Sequence, residues 1–371
     1  MNIGILLPGF SSDEDDWAIP VQQNLVREMA RHDEVRVIAL RYPHRHDCYS
    51  VYGATVYSIG VGAWVHGWRR LALWWEAIHL IRRLHKEKPF DVLHSMWADE
   101  TGLIAAWAGR LLNIPVIVSI AGGELVGFNE LDYGLQRSAF SRWTVGQALY
   151  GADRVIAACS YAKGLIAQAG YHISEEAVRI IPLGVDADVF VPSKVPIAPN
   201  HLIHAASLVS VKDQATLLRA IAHLDNVTLD IVGEGPEREK LMALAVELGI
   251  SKKVNFVGNI PHLAMPSFYQ RAALHVLTSR HEGLGMVTLE AAACGIPTVS
   301  TAVGIVPDSP ELGVSVPVGD DAALATEIRY LLGQPERRAA LAKSAYTLAH
   351  EKFSIQQTAQ NFREVYEKLQ A

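Results

Sequence analysis

Residues 279–295 read SRHEGLGMVTLEAAACG and overlap the end of the apolar run LHVLTS at 274–279. A short β-branched run, a glycine-bearing loop and an apolar stretch closed by Gly295 predict strand, loop and helix. Gly283 and Gly285 then stand at the helix entrance. Without side chains there, a ligand can approach bare backbone N–H groups, and the positive end of the helix dipole favours a phosphate or an electron-rich sugar oxygen. Glu282 stands at the mouth of this site, and Glu290 lies about two turns into the helix at ~1.5 Å rise per residue. A carboxylate accepts two hydrogen bonds from neighbouring hydroxyls, which is the geometry of a ribose diol. Equally, Glu282 can be a charge on the helix dipole and Glu290 a solvated helix residue. The stretch alone leaves both readings open.

The same alternation of strand and helix runs along nearly the whole chain. Strands are expected at 2–7, 34–40, 54–59, 91–95, 116–120, 154–158 and 178–182, and again at 202–207, 228–233, 254–258, 274–279 and 297–301. Helical patterns fill the gaps, so the expected class is α/β, with parallel sheets covered on both faces. A length of 371 residues exceeds what one core usually organises. VPSKVPIAPN at 191–200, with Pro192, Pro196 and Pro199, reads as an extended linker. The expected organisation is a domain at 1–190, a second at 201–353, and a helix at 354–371 packing back on the first. Two doubly wound Rossmann-like domains face a central cleft, and such sheets bind ligands at the carboxyl ends of their strands.

Composition narrows the function. Thirty-three Lys and Arg against 39 Asp and Glu leave a net charge of -6, which does not favour wrapping a nucleic acid. Cys48, Cys159 and Cys294 form no CxxC pair and suit a reducing cytosol. MNIGILLPGF runs into SSDEDD without a basic lead-in and reads as a first strand, not a signal peptide. Arg110 interrupts the longest apolar run, so no membrane span is expected. His44 and His46 are too few for a metal site, and none is expected. The chain lacks GxxxxGK[ST], HExxH and GxSxG, which disfavours NTPase, zinc protease and serine hydrolase chemistry.

Several segments together carry a family resemblance. EGLGMVTLE (282–290) has an acid, a Gly-x-Gly step and a second acid eight positions on. IVGEGPEREKL (231–241), VNFVGNIP (254–261), ADRVIAACS (152–160) and RIIPLGVDADVF (179–190) follow the same family in order. The chain resembles the retaining glycosyltransferases of family 4, which have the GT-B fold. The resemblance implies that Glu290 binds the ribose of a sugar nucleotide, that Glu282 contacts the donor sugar, and that amides from Gly283 through Leu284 to Gly285 meet sugar and phosphates. It places Lys212, in ASLVSVKDQATLL, on the diphosphate, and Gly233, Gly258, Asn259 and Ile260 along the nucleotide. Catalysis would rest on Lys212 and Glu282, with the acceptor hydroxyl entering from the face the phosphate leaves and with no general base, cofactor or metal. The paired acids also suggest a glycosidase, but such acids flank one bond, whereas the resemblance puts Glu290 on the distant ribose.

The departures are also specific. Ser207 stands where the family usually has an arginine beside the lysine, and Ala121, in VIVSIAGGEL, stands where it often has a histidine. The expected function is transfer of a hexose to a glycolipid, polysaccharide or small-molecule hydroxyl; the alternative is a non-catalytic sugar-nucleotide-binding or regulatory partner with a degenerate site. On the acceptor side the candidates are Gly9, His94, Gly122, Gly123 and Glu124, His94 being equally readable as a structural histidine. The segment from Trp64 to Lys88 holds four of the eight tryptophans and an excess of Arg and Lys. It reads either as an aromatic and basic helix lying on an anionic bilayer at the inner face of the membrane, or as a covering helix with Leu71, Trp74, Trp75, Ile78 and Ile81 buried. The expected location is the cytoplasm.

Overall fold

The computed structural model describes residues 1–16, 19–60, 62, 67–193 and 198–370. The chain divides into two units, Met1–Pro182 with Ile355–Ala371, and Leu183–Ser354.

The first unit runs β1 (Asn2–Gly9), α1 (Pro20–Met29), β2 (Glu34–Tyr42), β3 (Asp47–Val51), β4 (Ala54–Ser58), α2 (Trp68–Glu87), β5 (Val92–Ser95), α3 (Glu100–Leu112), β6 (Val116–Ile120), α4 (Ala139–Tyr150), β7 (Arg154–Ala157), α5 (Ser160–Gln168) and β8 (Val178–Ile180). Its sheet has the order β3-β4-β2-β1-β5-β6-β7-β8. Ile3, Ile5, Leu6 and Leu7 of β1 are fully buried, as a parallel strand covered on both faces requires. Strand β3 pairs antiparallel with β4 and lies outside the expected strands, because DCYSV is mostly exposed and lacks apolar alternation. The Asp99 carboxylate caps α3 by accepting from the Thr101 N–H, and Ser138 caps α4.

The second unit runs β9 (His201–Ala205), α6 (Gln214–Ala222), β10 (Thr228–Val232), α7 (Arg238–Glu247), β11 (Val254–Gly258), α8 (Met265–Tyr269), β12 (Leu274–Leu277), α9 (Met286–Ala293), β13 (Thr298–Thr301), β14 (Gly313–Val316), α10 (Asp321–Leu332) and α11 (Pro335–Glu351). Its sheet, β11-β10-β9-β12-β13-β14, is parallel throughout. Strand β14 is a further addition to the expected strands, since four residues beginning with glycine give little pattern. The core joins Leu202, Leu229, Ile231, Val276 and Val299 of the strands to Leu217, Ile221 and Ile328 of the covering helices.

The first unit ends at Pro182 rather than 190 for a physical reason. The Val185 N–H donates to the Phe353 carbonyl at 2.8 Å, and the Phe190 ring meets His262 edge-on at 5.2 Å, so 183–190 packs with the second unit. The described parts of 191–200 do the same, with Gln270 Nε2 donating to the Val191 carbonyl at 2.7 Å; Pro196 lies outside the described residues. The last helix, α12 (Ile355–Gln370), belongs to the first unit. It buries Phe362 and Tyr366 there, and Thr358 Oγ1 donates to the Pro182 carbonyl at 2.9 Å.

Strand order locates the sites. In the second sheet the order reverses between β9 and β12, and in the first between β1 and β5, so the loops leaving those strands flank a topological switch point.

Candidate functional site

In the second unit, Lys212 lies on the loop leaving β9 and Glu282 on the loop leaving β12, one on each side of the switch point. Their side chains meet, with Lys212 Nζ 2.5 Å from Glu282 Oε1. Ser279 Oγ donates to the same carboxylate oxygen at 2.6 Å. Glu282 is buried and Lys212 half-buried, so this pair works in a poorer dielectric than a surface ion pair. The Thr278 hydroxyl donates to the Lys212 carbonyl and the Arg280 N–H to the Val211 carbonyl, which ties the two loops together.

Helix α9 begins directly after Gly285, whose φ of 89° is left-handed and suits glycine. Gly304, at φ 68°, packs against the loop so closely that a Cβ would lie 2.4 Å from the Leu284 carbonyl oxygen. Glu290 is the fifth residue of α9, one turn in rather than two, and it is buried rather than solvated. Tyr269 donates its hydroxyl to Glu290 Oε2 at 2.9 Å, and His262 Nε2 lies 3.1 Å from Oε1.

The Gly-x-Gly segment after β10 is equally tight. Gly233, at φ 134°, donates its N–H to the Gly258 carbonyl, and a Cβ on it would strike the Ala206 carbonyl. Gly258 takes φ 87°, Asn259 is exposed and Ile260 half-buried. Ser207 is exposed, and its carbonyl accepts from Gln214 Nε2 at 3.0 Å.

In the first unit His94 is not an exposed contact. It is fully buried in β5, with Nδ1 2.7 Å from the Tyr366 hydroxyl, Nε2 2.8 Å from Ser119 Oγ and Phe362 against its ring edge. Both nitrogens are occupied because α12 closes over this face of the strand, and burial holds the imidazole down to about 3. Gly9 ends β1 beside Tyr42, at a shift in the pairing with β2. Glu124 is buried and accepts from the N–H groups of Ala121 at 3.1 Å and Gly122 at 2.6 Å. It lines a cavity of about 690 Å³ with Trp97, Asp99, Gly123, Tyr133 and Ser138, at the carboxyl ends of β5 and β6. Desolvation raises both the Asp99 and the Glu124 carboxyls above their ordinary range. Gly122 is not among the residues of that wall, although its N–H holds the Glu124 carboxylate in place.

His262, Tyr269 and Ser279 are functional candidates that sequence reasoning passed over. Ser279 opens the decisive stretch, and His262 directly follows VNFVGNIP, so both stood beside motifs already in view. Tyr269 carried no local signal.

The profile of the family described as Glycosyl transferases group 1 matches residues 190–348, and that of Glycosyl transferase 4-like domain matches 19–184. A D-inositol 3-phosphate glycosyltransferase of Catenulispora acidiphila is 31% identical over 285 residues, covering 69% of this chain and 67% of that protein. The chain belongs to the glycosyl transferases group 1. It is a glycosyltransferase. A GDP-mannose-dependent alpha-(1-6)-phosphatidylinositol monomannoside mannosyltransferase of Mycolicibacterium smegmatis is 32% identical over 189 residues, which are 44% of this chain and 50% of that protein. This glycosyltransferase has the GT-B fold with two Rossmann-like domains. The sucrose-phosphate synthase of Thermosynechococcus elongatus superposes with a TM-score of 0.82 at 20% identity, over 100% of this chain and 99% of that one. Anabaena Alr3699/HepE, in complex with UDP-glucose, gives a TM-score of 0.75 at 18% identity, over 99% and 100%. Among the described residues, no group of three or more His, Cys, Asp or Glu is placed to hold a metal ion, and no helix is long and apolar enough to cross a membrane.

Proposed function

We propose that the second unit of this glycosyltransferase binds its donor across the β9/β12 switch point, with the diphosphate at Lys212 and the entrance of α9, the hexose at Glu282, and the ribose at Glu290. The single observation that carries the reading is the meeting of Lys212 and Glu282 from the two switch-point loops, 2.5 Å apart at a left-handed glycine that starts a helix. A cation and helix-entrance dipoles aimed at a leaving diphosphate stabilise the charge that develops as the glycosidic bond breaks. Glu282 aligns the lysine and, once the diphosphate takes the ammonium, presents its oxygens to sugar hydroxyls. Gly233, Gly258, Asn259 and Ile260 would border the base and Ser207 the phosphates. Retention follows if the acceptor hydroxyl enters on the face the diphosphate leaves, its proton passing to a phosphate oxygen. This mechanism uses no metal.

A UDP-hexose or a GDP-hexose fits the company the chain keeps, since the Anabaena protein holds UDP-glucose and the mycolicibacterial relative is named for GDP-mannose. The acceptor is a hydroxyl on a polyol or glycolipid, taken by the cavity of Trp97, Tyr133, Asp99 and Glu124, where aromatic faces and carboxylates suit a polyhydroxylated ring. We place the enzyme in the cytoplasm, in peripheral contact with a membrane through the helix that ends the Trp64–Lys88 segment. The test of the donor reading is thermal stabilisation by nucleoside diphosphates. At a hundred times its Kd a selective ligand raises stability by about 2.7 kcal/mol, and no response to any of them would dismiss it.

A further inference from the structure

Helix α2 buries Leu73, Trp74, Ala77, Ile81 and Leu84, which is the stripe a covering helix needs. Leu71 and Trp75 are not part of it, contrary to the covering-helix reading of the segment, and Ile78 is only half-buried. Trp68, Leu71 and Trp75, spaced three and four residues apart, form a second apolar stripe on the outward face, exposed at 73%, 59% and 67%. A soluble covering helix has one apolar stripe, so the second calls for a non-aqueous neighbour. Trp64, Val65 and His66 lie outside the described residues.

The neighbouring helices extend this face. Between residues 101 and 111, the exposed positions of α3 are Trp107, Arg110 and Leu111. On α4, Phe140, Trp143 and Tyr150 face out. The buried ring of Trp74 joins the three helices, lying 5.7 Å from Trp107, 6.1 Å from Phe140 and 6.4 Å from Trp143 between centroids. A packed aromatic cluster therefore ties α3 and α4 to α2 beneath their exposed apolar residues.

Its charge selects the occupant. The three helices carry seven Lys and Arg against three Glu, in a chain whose net charge is -6. Glu100 is turned inward, accepting from Arg41 and the Trp74 indole and ion-paired with Arg70, which leaves Glu76 and Glu87 to oppose the remaining surface cations of these helices. The outward ridge of α2 passes from Trp68 and Trp75 to Arg82 and Lys86, apolar at one end and cationic at the other. A second copy of the chain would bring the same cationic excess against itself.

We propose that the outer face of α2, α3 and α4 seats this enzyme on an anionic lipid bilayer, the tryptophans entering the headgroup boundary and the ridge of Arg and Lys meeting lipid phosphates. This deepens the transferase reading and rests on it for one consequence. The cap and first turn of α4 supply Ser138 and Ser141 to the acceptor cavity and Phe140 to the aromatic face, so the cavity opens beside the bilayer and takes a lipid-borne hydroxyl.

The experiment is co-sedimentation of the whole chain with phosphatidylcholine vesicles, with and without phosphatidylglycerol, at low and high salt. The expected result is binding that needs phosphatidylglycerol, falls with salt, and drops on the order of tenfold or more when Leu71 and Trp75 are both changed to Ser. Arg82→Glu should weaken binding to anionic vesicles while the melting temperature holds. Absence of binding at low salt, binding indifferent to Leu71→Ser/Trp75→Ser, or a self-association of the chain that this variant abolishes without any vesicle binding would each overturn the proposal. Stabilisation by nucleoside diphosphate, read on the same samples, reports separately on the donor site.

Discussion

Lys212 Nζ and Ser279 Oγ converge on a single oxygen of Glu282, at 2.5 and 2.6 Å. The ammonium is thus held in place before any ligand arrives, and a bound diphosphate has to draw it from the carboxylate. Lys212→Ala should reduce kcat by about 10²- to 10³-fold, the range found when one charge-stabilising donor is removed. Lys212→Arg should recover little of this, because a planar fork does not reproduce a point charge in that space. Steady-state release of nucleoside diphosphate checks both, and a Lys212→Ala enzyme with undiminished kcat would remove the lysine from the mechanism.

Glu290 is held by Tyr269 and His262 rather than by solvent. If it reads a ribose diol, the native protein should prefer a ribonucleoside diphosphate to its 2′,3′-dideoxy analogue, and Glu290→Gln should narrow that preference by about tenfold, the value of one or two charged hydrogen bonds. Tyr269→Phe should raise KM for the donor with little change in kcat. Calorimetric titration with the two nucleotides is the check; equal preference in native and variant proteins would take Glu290 off the pentose.

Gly304 presses on the loop that carries the site, with φ 68° and the Leu284 carbonyl oxygen 2.4 Å from any added Cβ. Gly304→Ala should destabilise the second unit by about 1–3 kcal/mol through left-handed strain and the displaced carbonyl. Donor affinity should fall with it. A denaturant melt and a nucleotide titration on the same variant would show whether loop and stability move together.

Three histidines, His94, His204 and His275, are fully buried and held down by desolvation to about 3, 4 and 3. Unfolded histidine takes its proton near 6.5, so above that pH neither state is charged and the three contribute no pH dependence. Below it the unfolded chain binds protons that the folded chain refuses. Stability should therefore fall with pH from about 6.5 toward the folded values, by up to about 1.4 kcal/mol per pH unit for each histidine. His94→Gln should flatten the acid limb of the first unit's denaturation by about one proton. An unchanged slope would mean that His94 is protonated in the folded state.

Much of the fold was legible because fully buried parallel strands announce themselves as β-branched runs, as NIGILL and VIVSI do. DCYSV escaped because an exposed edge strand has no apolar alternation, and GVSV because four residues carry too little pattern. In the site, the glycine spacing around Glu282 pointed to the helix entrance through backbone rules alone. The tertiary partners did not show. Tyr269 reaches Glu290 from another helix, and His94 loses its candidacy to Tyr366, 272 residues away. On α2 the helical period left two readings open, and the one that buries Leu71 and Trp75 with Trp74 and Ile81 is not what the structure has, because the two side chains form a second stripe.

The most direct measurement of the central claim is a crystal structure with a nucleoside diphosphate bound. The account predicts the β-phosphate against Lys212 and the entrance of α9, with the pentose hydroxyls on Glu290. A diphosphate bound elsewhere, with the Lys212–Glu282 pair undisturbed and Glu290 still held by Tyr269 and His262 alone, would contradict it.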